Sequence, residues 1–121
     1  MPSLPPDSQA HRLLSEVFGY AAFRLGQEEV IAHILDGISV LTVMPTGSGK
    51  SLCFQIPALI RGGLTLVVSP LVALMEDQVA ALKLDGVAAE TINSSRDRDT
   101  NVATWRRVVS GAVRLLYISP E

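Results

Sequence analysis

Four short apolar runs mark the chain: Val40-Leu41-Thr42-Val43, Leu64-Thr65-Leu66-Val67-Val68, Val87 to Ile92, and Val113-Arg114-Leu115-Leu116-Tyr117-Ile118. Each is rich in β-branched or aliphatic residues and bounded by turn residues, so each reads as a buried strand. The segments between them carry helical spacing. Leu52 to about Ile60 follows the first run. Leu71, Val72, Met75, Val79 and Leu82 share one face after the second, up to a stop near Gly86. Val102, Trp105 and Val109 do so after the third, in a helix from about Thr100 to Val109, and this spacing reads Trp105 as core. Two helices precede the first strand: His11 to Phe18, ended by Gly19, and about Gly26 to Asp36, with Val30, Ile31, Ile34 and Leu35 on one face and Gly37 as its stop. Strands alternating with helices predict an α/β fold, a parallel sheet with helices on both faces. Residues 1–8 are proline-rich and read as disordered, residues 1–14 as a disordered or helical lead, and residues 15–121 as one domain.

Two prolines refine the picture. Pro57 removes an N–H and clashes with the carbonyl of Cys53, which costs about 3 kcal/mol in a helix interior, so a kink or an end is expected there. Ser69-Pro70 reads as a helix start, with serine as cap and proline as first residue. In parallel sheets ligands bind beyond the carboxyl ends of the strands. The turns at Met44–Ser51, Ser69-Pro70 and Ser119-Pro120-Glu121 all follow strands and are expected on one rim.

The first of these turns carries the clearest chemistry. Met44-Pro45-Thr46-Gly47-Ser48-Gly49-Lys50-Ser51 lies between a predicted strand and a predicted helix. Gly47 and Gly49 permit backbone angles closed to other residues. Successive N–H groups can then converge on phosphate oxygens, backed by the helix N-terminus. Lys50 adds a full charge toward the outer phosphates, and the Ser51 hydroxyl is a hard ligand for magnesium. Thr46, Gly47, Ser48, Gly49, Lys50 and Ser51 are therefore candidate nucleotide contacts, Lys50 the candidate catalytic residue and Ser51 the candidate metal ligand. The full phosphate-loop pattern begins with glycine, and Met44 stands there instead.

A second candidate site precedes it. Phe18-Gly19-Tyr20-Ala21-Ala22-Phe23-Arg24-Leu25-Gly26-Gln27 sets aromatics, an arginine and a glutamine in a loop before a helix. A glutamine amide can pair with adenine at two points, and a ring or guanidinium can stack on a base. The same residues also admit a plain reading, with Phe18 and Phe23 in the core, Arg24 solvated and Gln27 a helix N-terminus.

Composition narrows the class. The chain has 121 residues, 48% of them apolar, enough for a small folded core. No apolar run approaches the roughly 18 residues of a membrane span, and the N-terminal stretch lacks the regions of a signal peptide. The single cysteine, Cys53, suits a reducing compartment and reads as a small buried hydrophobe. Net charge is -2, so charge alone does not mark a nucleic-acid binder. The distribution is uneven: residues 1–95 hold five Lys/Arg against nine Asp/Glu, and residues 96–121 hold five Arg against three acids. That gives a basic edge near the C-terminus.

Four segments, in order, resemble the N-terminal motifs of RecQ-type helicases of superfamily 2. The stretch Phe18–Glu29 resembles the family's adenine-recognition motif. Met44–Leu59 resembles its motif I, where methionine at the first position is usual. Val67-Val68-Ser69-Pro70-Leu71-Val72-Ala73-Leu74-Met75-Glu76-Asp77-Gln78-Val79 resembles motif Ia, and Leu115–Glu121 motif Ib. The resemblance covers about residues 15–121. It implies a RecA-like phosphate-loop fold, supplied here incompletely, and adenine contacts from Tyr20, Arg24 and Gln27. It further implies ATP and Mg2+ as cofactors and DNA, single-stranded or duplex with a single-stranded tail, as partner. Ser69, Pro70, Asn93, Ser119 and Glu121 are the candidate nucleic-acid contacts. Glu76 stands where the family often has lysine, which weakens a phosphate contact nearby.

The implied activity is 3′ to 5′ DNA unwinding driven by ATP hydrolysis, in repair and recombination, in the cytoplasm and at the nucleoid in a bacterium. The family's Asp-Glu-Ala-His box and second motor domain have no counterpart in these 121 residues. Catalysis by this piece alone is not expected, and an apolar sheet edge is expected to stay unpaired. Two other readings stay open: a different phosphate-loop enzyme such as a small-molecule kinase, and a non-catalytic nucleotide- or DNA-binding module.

Overall fold

The computed structural model describes residues 4, 5, 8–43 and 49–120. Met44, Pro45, Thr46, Gly47, Ser48 and Glu121 lie outside the described residues. The chain forms two compact units, Met1–Arg61 and Gly62–Glu121.

The first unit packs three helices: α1 (Gln9–Glu16), α2 (Gln27–Leu35) and α3 (Leu52–Arg61). Both α1 and α2 lie against α3. Ala10, Leu14, Ile31, Leu52 and Ile56 form the core, with Leu4, Phe18 and Phe23 closing over it. Helix α1 starts earlier than its apolar residues predict because Ser8 caps it, its hydroxyl accepting from His11 N–H at 3.3 Å. The described part of the lead read as disordered is tied down. The Leu4 N–H donates to Glu28 Oε1 at 2.8 Å, and Leu4 packs on the core. Helix α3 does not end at Pro57 but runs on to Arg61. Pro57 is buried in it, so its ring packs where its missing N–H would have bonded.

The predicted strand Val40–Val43 does not form. The segment makes no ladder with any described residue, and Leu41 and Val43 are 93% and 91% exposed. Apolar, β-branched composition favours a strand only where a neighbour accepts its hydrogen bonds and covers its faces.

The second unit holds a three-stranded parallel sheet: β1 (Thr65–Val68), β2 (Ala89–Ile92) and β3 (Leu115–Ile118), in the order β1-β3-β2. Its helices are α4 (Val72–Leu84) and α5 (Arg98–Val109). The chain passes from β1 across to β2 through α4, then back to β3 through α5. Reversing direction while keeping right-handed crossovers puts the two helices on opposite faces. The side chains agree. Val108 of α5 packs with Leu116, Ile92 and Ile118, all on one face. Glu76 of α4 bonds Asn93, which follows the opposite parity with Thr91. Strands β2 and β3 are therefore covered on both sides, which suits the apolar run of β3, while β2 buries Glu90 and Thr91. Strand β1 is an edge; Leu66 and Val68, in register with Leu116 and Ile118, stay 57% and 63% exposed.

Helix α5 also departs from its predicted face. Thr104 and Val108 are buried, whereas Val102, Trp105 and Val109 point outward. Trp105 is 54% exposed and is not core. The helix begins at Arg98, two residues before the expected start, because Asp97 caps it through Thr100 N–H at 2.7 Å. That bond holds the Asp97 carboxyl below its usual range.

Candidate functional site

In the first unit the glutamine loop meets Gly49, the last glycine of the candidate phosphate loop. Gly26 has φ 88° and turns the chain into α2, which opens on Gln27. Gln27 is 1% exposed. Its Oε1 accepts from the Arg24 N–H at 2.7 Å, and its Nε2 donates to the Gly49 carbonyl at 2.9 Å. One amide thus holds its own loop closed at one end and grips the phosphate loop at the other. Gly49 cannot be otherwise. Its φ is +79°, and a Cβ would stand 2.5 Å from Gln27 Nε2. Gln27 is neither a solvated helix start nor a side chain open to a base on all its edges.

Beyond Gly49 the chain enters α3. Leu52 N–H donates to Gly49 O, Cys53 N–H to Lys50 O, and Gln55 N–H to Ser51 O, at 3.0 to 3.2 Å. Lys50 and Ser51 therefore stand on the first turn of the helix, where backbone N–H groups collect positive potential. Lys50 is exposed and Ser51 half-buried. Tyr20 and Arg24 are exposed beside the loop that Gln27 closes, and Phe23 packs edge-on to His11 with ring centroids 4.9 Å apart. Phe18 and Phe23 belong to the core, as the plain reading had it. Cys53 is buried, and burial pushes its thiol above the ordinary value, which removes it from nucleophilic chemistry. Among the described residues no cluster of His, Cys, Asp or Glu could hold a metal ion.

In the second unit the strands end level. Val68, Ile118 and Ile92 align across β1, β3 and β2, so Ser69, Ser119 and Asn93 follow on one rim. Their side chains differ in what they can reach. Ser69 Oγ accepts from Leu71 N–H at 3.1 Å, closing a tight turn rather than capping the helix. Its own N–H extends the sheet ladder to Ile118 O at 3.0 Å. Helix α4 begins two residues later than expected, at Val72, with no side-chain cap. Ser119 Oγ is buried without a hydrogen-bond partner among the described residues.

Asn93, read as a nucleic-acid contact, is buried, and its amide is engaged within the protein. Its Nδ2 donates to Thr91 Oγ1 at 2.8 Å and Glu76 Oε1 at 3.0 Å, and its Oδ1 accepts from Ser95 N–H at 2.9 Å. Asn93 organises the loop after β2 and does not present its amide at the surface.

Glu76 completes that loop. Arg96 donates to both of its oxygens, Nε at 3.0 Å and Nη2 at 2.6 Å. The Arg96 fork, aided by Asn93 and Ser95, holds the Glu76 carboxyl at about 2 instead of its ordinary 4.5. The acid found where the resemblance expects lysine is thus neutralised locally. A second acid, Glu90 on β2, is buried between Lys83 at 3.1 Å and Arg107 at 2.5 Å. Neither pair was read from the sequence, because their partners lie 7 to 20 residues apart and no local pattern links them. Asp97 did leave a signal, an acid just ahead of a helical stretch.

The family model for DEAD/DEAH box helicases matches residues 24–121. The chain belongs to the DEAD/DEAH box helicase family. Within it the sequence is similar to RecQ-type helicases. It is 52% identical over 109 residues to an ATP-dependent DNA helicase RecQ of Haemophilus influenzae, covering 90% of this chain and 18% of that protein. It is 45% identical over 115 residues to the ATP-dependent DNA helicase Q-like 5 of Arabidopsis thaliana, covering 95% and 12%. To the human ATP-dependent DNA helicase Q4 it is 43% identical over 129 residues, covering 98% and 11%. The chain spans less than a fifth of the length of these helicase relatives. A crystal structure of the DUF1998 helicase MrfA bound to DNA superposes with a TM-score of 0.70 at 22% identity, over 98% of this chain and 18% of that one. That likeness shows the fold alone. No helix among the described residues is long and apolar enough to cross a membrane.

Proposed function

We propose that this chain is the ATP-binding segment of a RecQ-type DNA helicase that couples ATP hydrolysis to 3′ to 5′ movement along DNA. The observation that carries the reading is the Gln27 amide bridging the Arg24 N–H and the Gly49 carbonyl. A base-recognition loop joined directly to a phosphate loop suits one ligand that has both parts, an adenine nucleotide. Lys50 would meet the outer phosphates and Ser51 would offer magnesium one hard oxygen, the phosphates and water completing its shell. Tyr20 and Arg24 would lie against the base. With the nucleotide bound, the Gln27 amide would turn toward adenine and pair with it at two points. The relatives are named as ATP-dependent DNA helicases, which supports DNA as the partner. Ser69, Pro70 and Ser119 would face the phosphates of a single strand at the sheet rim, and Glu121 is a further candidate contact. The protein would act on single strands and on duplexes with a single-stranded tail, in the cytoplasm and at the nucleoid of a bacterial cell. This segment alone would bind nucleotide without hydrolysing it, since phosphoryl transfer needs a carboxylate to position water.

Calorimetry tests it. Magnesium–ATP should bind, ATP should outcompete GTP, and Lys50→Ala should weaken binding by roughly tenfold or more, since a charge-assisted phosphate contact is lost. Equal affinity of the parent for ATP and GTP, or of parent and Lys50→Ala for ATP, would overturn the assignment.

A further inference from the structure

A groove of about 600 Å³ opens in the second unit between the end of β2 and the first turns of α5. It is lined by Ile92, Arg96, Arg98, Asn101, Val102 and Trp105. Its chemistry is unusual for a helix surface. Trp105 and Val102 expose apolar area that the core does not use, at 54% and 39%. Two guanidinium groups border that area. Arg96 is committed to Glu76, but Arg98 is exposed and makes no ion pair among the described residues.

We propose that this groove is a stacking site for a nucleobase of single-stranded nucleic acid, with Trp105 as the platform and Arg98 meeting the adjoining phosphate. Three observations favour that occupant. A flat aromatic next to a cation is the combination that holds a base and its phosphate together without reading sequence. The groove's border carries an exposed cation, Arg98, whereas Arg96 and Arg107 are already paired with Glu76 and Glu90. Ile92, which lines it, is level with Val68 and Ile118, so the groove adjoins the rim that carries Ser69 and Ser119. Neighbouring strands stand about 4.8 Å apart, so the rim from β1 to β2 is about 10 Å wide. A strand crossing that rim would deliver its next nucleotides to α5. The inference rests on the DNA reading above and extends its footprint to a helix that the four motifs do not include.

Trp105 is the single tryptophan of the sequence, so its emission reports this groove alone. A labelled thymidine oligomer is titrated into the chain, with label anisotropy and Trp105 emission followed together. Emission should fall saturably along the same isotherm as the anisotropy. Trp105→Ala should weaken binding at least about fivefold, Trp105→Phe much less, and Arg98→Glu should weaken it and flatten the salt dependence. If the oligomer binds while emission stays constant and Trp105→Ala matches the parent, the stacking site is wrong and the DNA reading stands. If the oligomer does not bind, both fall. Quenching by an acidic phenylalanine-containing peptide but not by the oligomer would also overturn the proposal and make the groove a peptide site.

Discussion

Two apolar runs of similar composition reach opposite ends in this molecule. Leu115-Leu116-Tyr117-Ile118 is the central strand of a sheet, with Leu115, Leu116 and Tyr117 almost wholly buried. Val40-Leu41-Thr42-Val43 is extended chain with Leu41 and Val43 almost wholly exposed. Hydropathy predicts a strand equally well for both. What separates them is the partner. The central strand finds a parallel neighbour on each side and a helix against each face, so its backbone groups and side chains are satisfied together. The other run has no ladder partner among the described residues. A strand is a property of a pair, and the pattern of one segment reports only its readiness to pair.

The largest effect should come from the satisfied run. Leu115→Ala removes a side chain with no exposed surface and leaves a cavity against the sheet, on the face opposite Leu116. It should cost about 2–5 kcal/mol in a urea melt. Leu41→Ala, the same change at a 93% exposed position, should fall within about 0.5 kcal/mol. Comparable losses at the two sites would break the contrast and would mean that the run around Leu41 is packed in solution.

The same strand–partner logic explains what could be read from sequence. Strands β1, β2 and β3 lie within two residues of the runs read as strands, because each run has a strand pattern bounded by turn residues. The candidate phosphate loop and the glutamine loop are both proposals that local spacing alone raises. The bridge from Gln27 to Gly49 was not legible, since it spans 22 residues and depends on how α2 meets α3. Trp105 was misplaced for a related reason. Spacing of Val102, Trp105 and Val109 defines a stripe on α5 but not which stripe faces the sheet. Thr104 and Val108 won because they sit over the Leu116 face, where Val108 joins a small apolar cluster. The buried bonds of Asn93 were not legible either, because a loop asparagine that bonds its own turns has the same sequence as a solvated one.

A second test strips the partners from a buried charge. Glu90 is 3% exposed in β2, while Lys83 and Arg107 are about half exposed. Replacing both cations with methionine leaves the carboxylate buried and uncompensated. The loss should be about 3 kcal/mol by thermal melting, and Glu90→Gln in that background should recover part of it. No recovery would show that the methionine packing, not the charge, set the cost.

A third perturbation acts on the first unit. Gly49→Ala forces a Cβ against Gln27 Nε2 at 2.5 Å and a side chain onto φ +79°. About 1–3 kcal/mol of strain should appear as lost stability, together with weaker nucleotide binding. Gly37→Ala shares the positive φ but meets nothing within 4 Å. It isolates the backbone component, and Gly49→Ala should be the more costly of the two. Equal costs would remove the Gln27 contact from the explanation.

The smallest effect, and the most specific, is the acid response of the loop after β2. The Glu76 carboxyl is held at about 2 by Arg96, from an ordinary 4.5. In the folded protein it therefore keeps its charge as pH falls, while in the unfolded chain it takes up a proton near 4.5. Protons bound preferentially to the unfolded state lower stability. The contribution of the pair is thus fully present above about 4.5 and is lost progressively as pH falls toward about 2. Glu76→Gln keeps the shape and the Asn93 contact but removes the titration. Parent and variant should differ most in urea midpoint near neutral pH and converge as pH approaches 2. Arg96→Gln should reproduce the convergence, because it removes the group that holds the carboxyl down. Salt should shrink the difference only in part, since the contact is a two-point hydrogen bond as well as a charge pair. A constant gap between parent and Glu76→Gln from pH 7 to pH 2 would mean that Glu76 acts through packing, and that its carboxylate does not hold the loop.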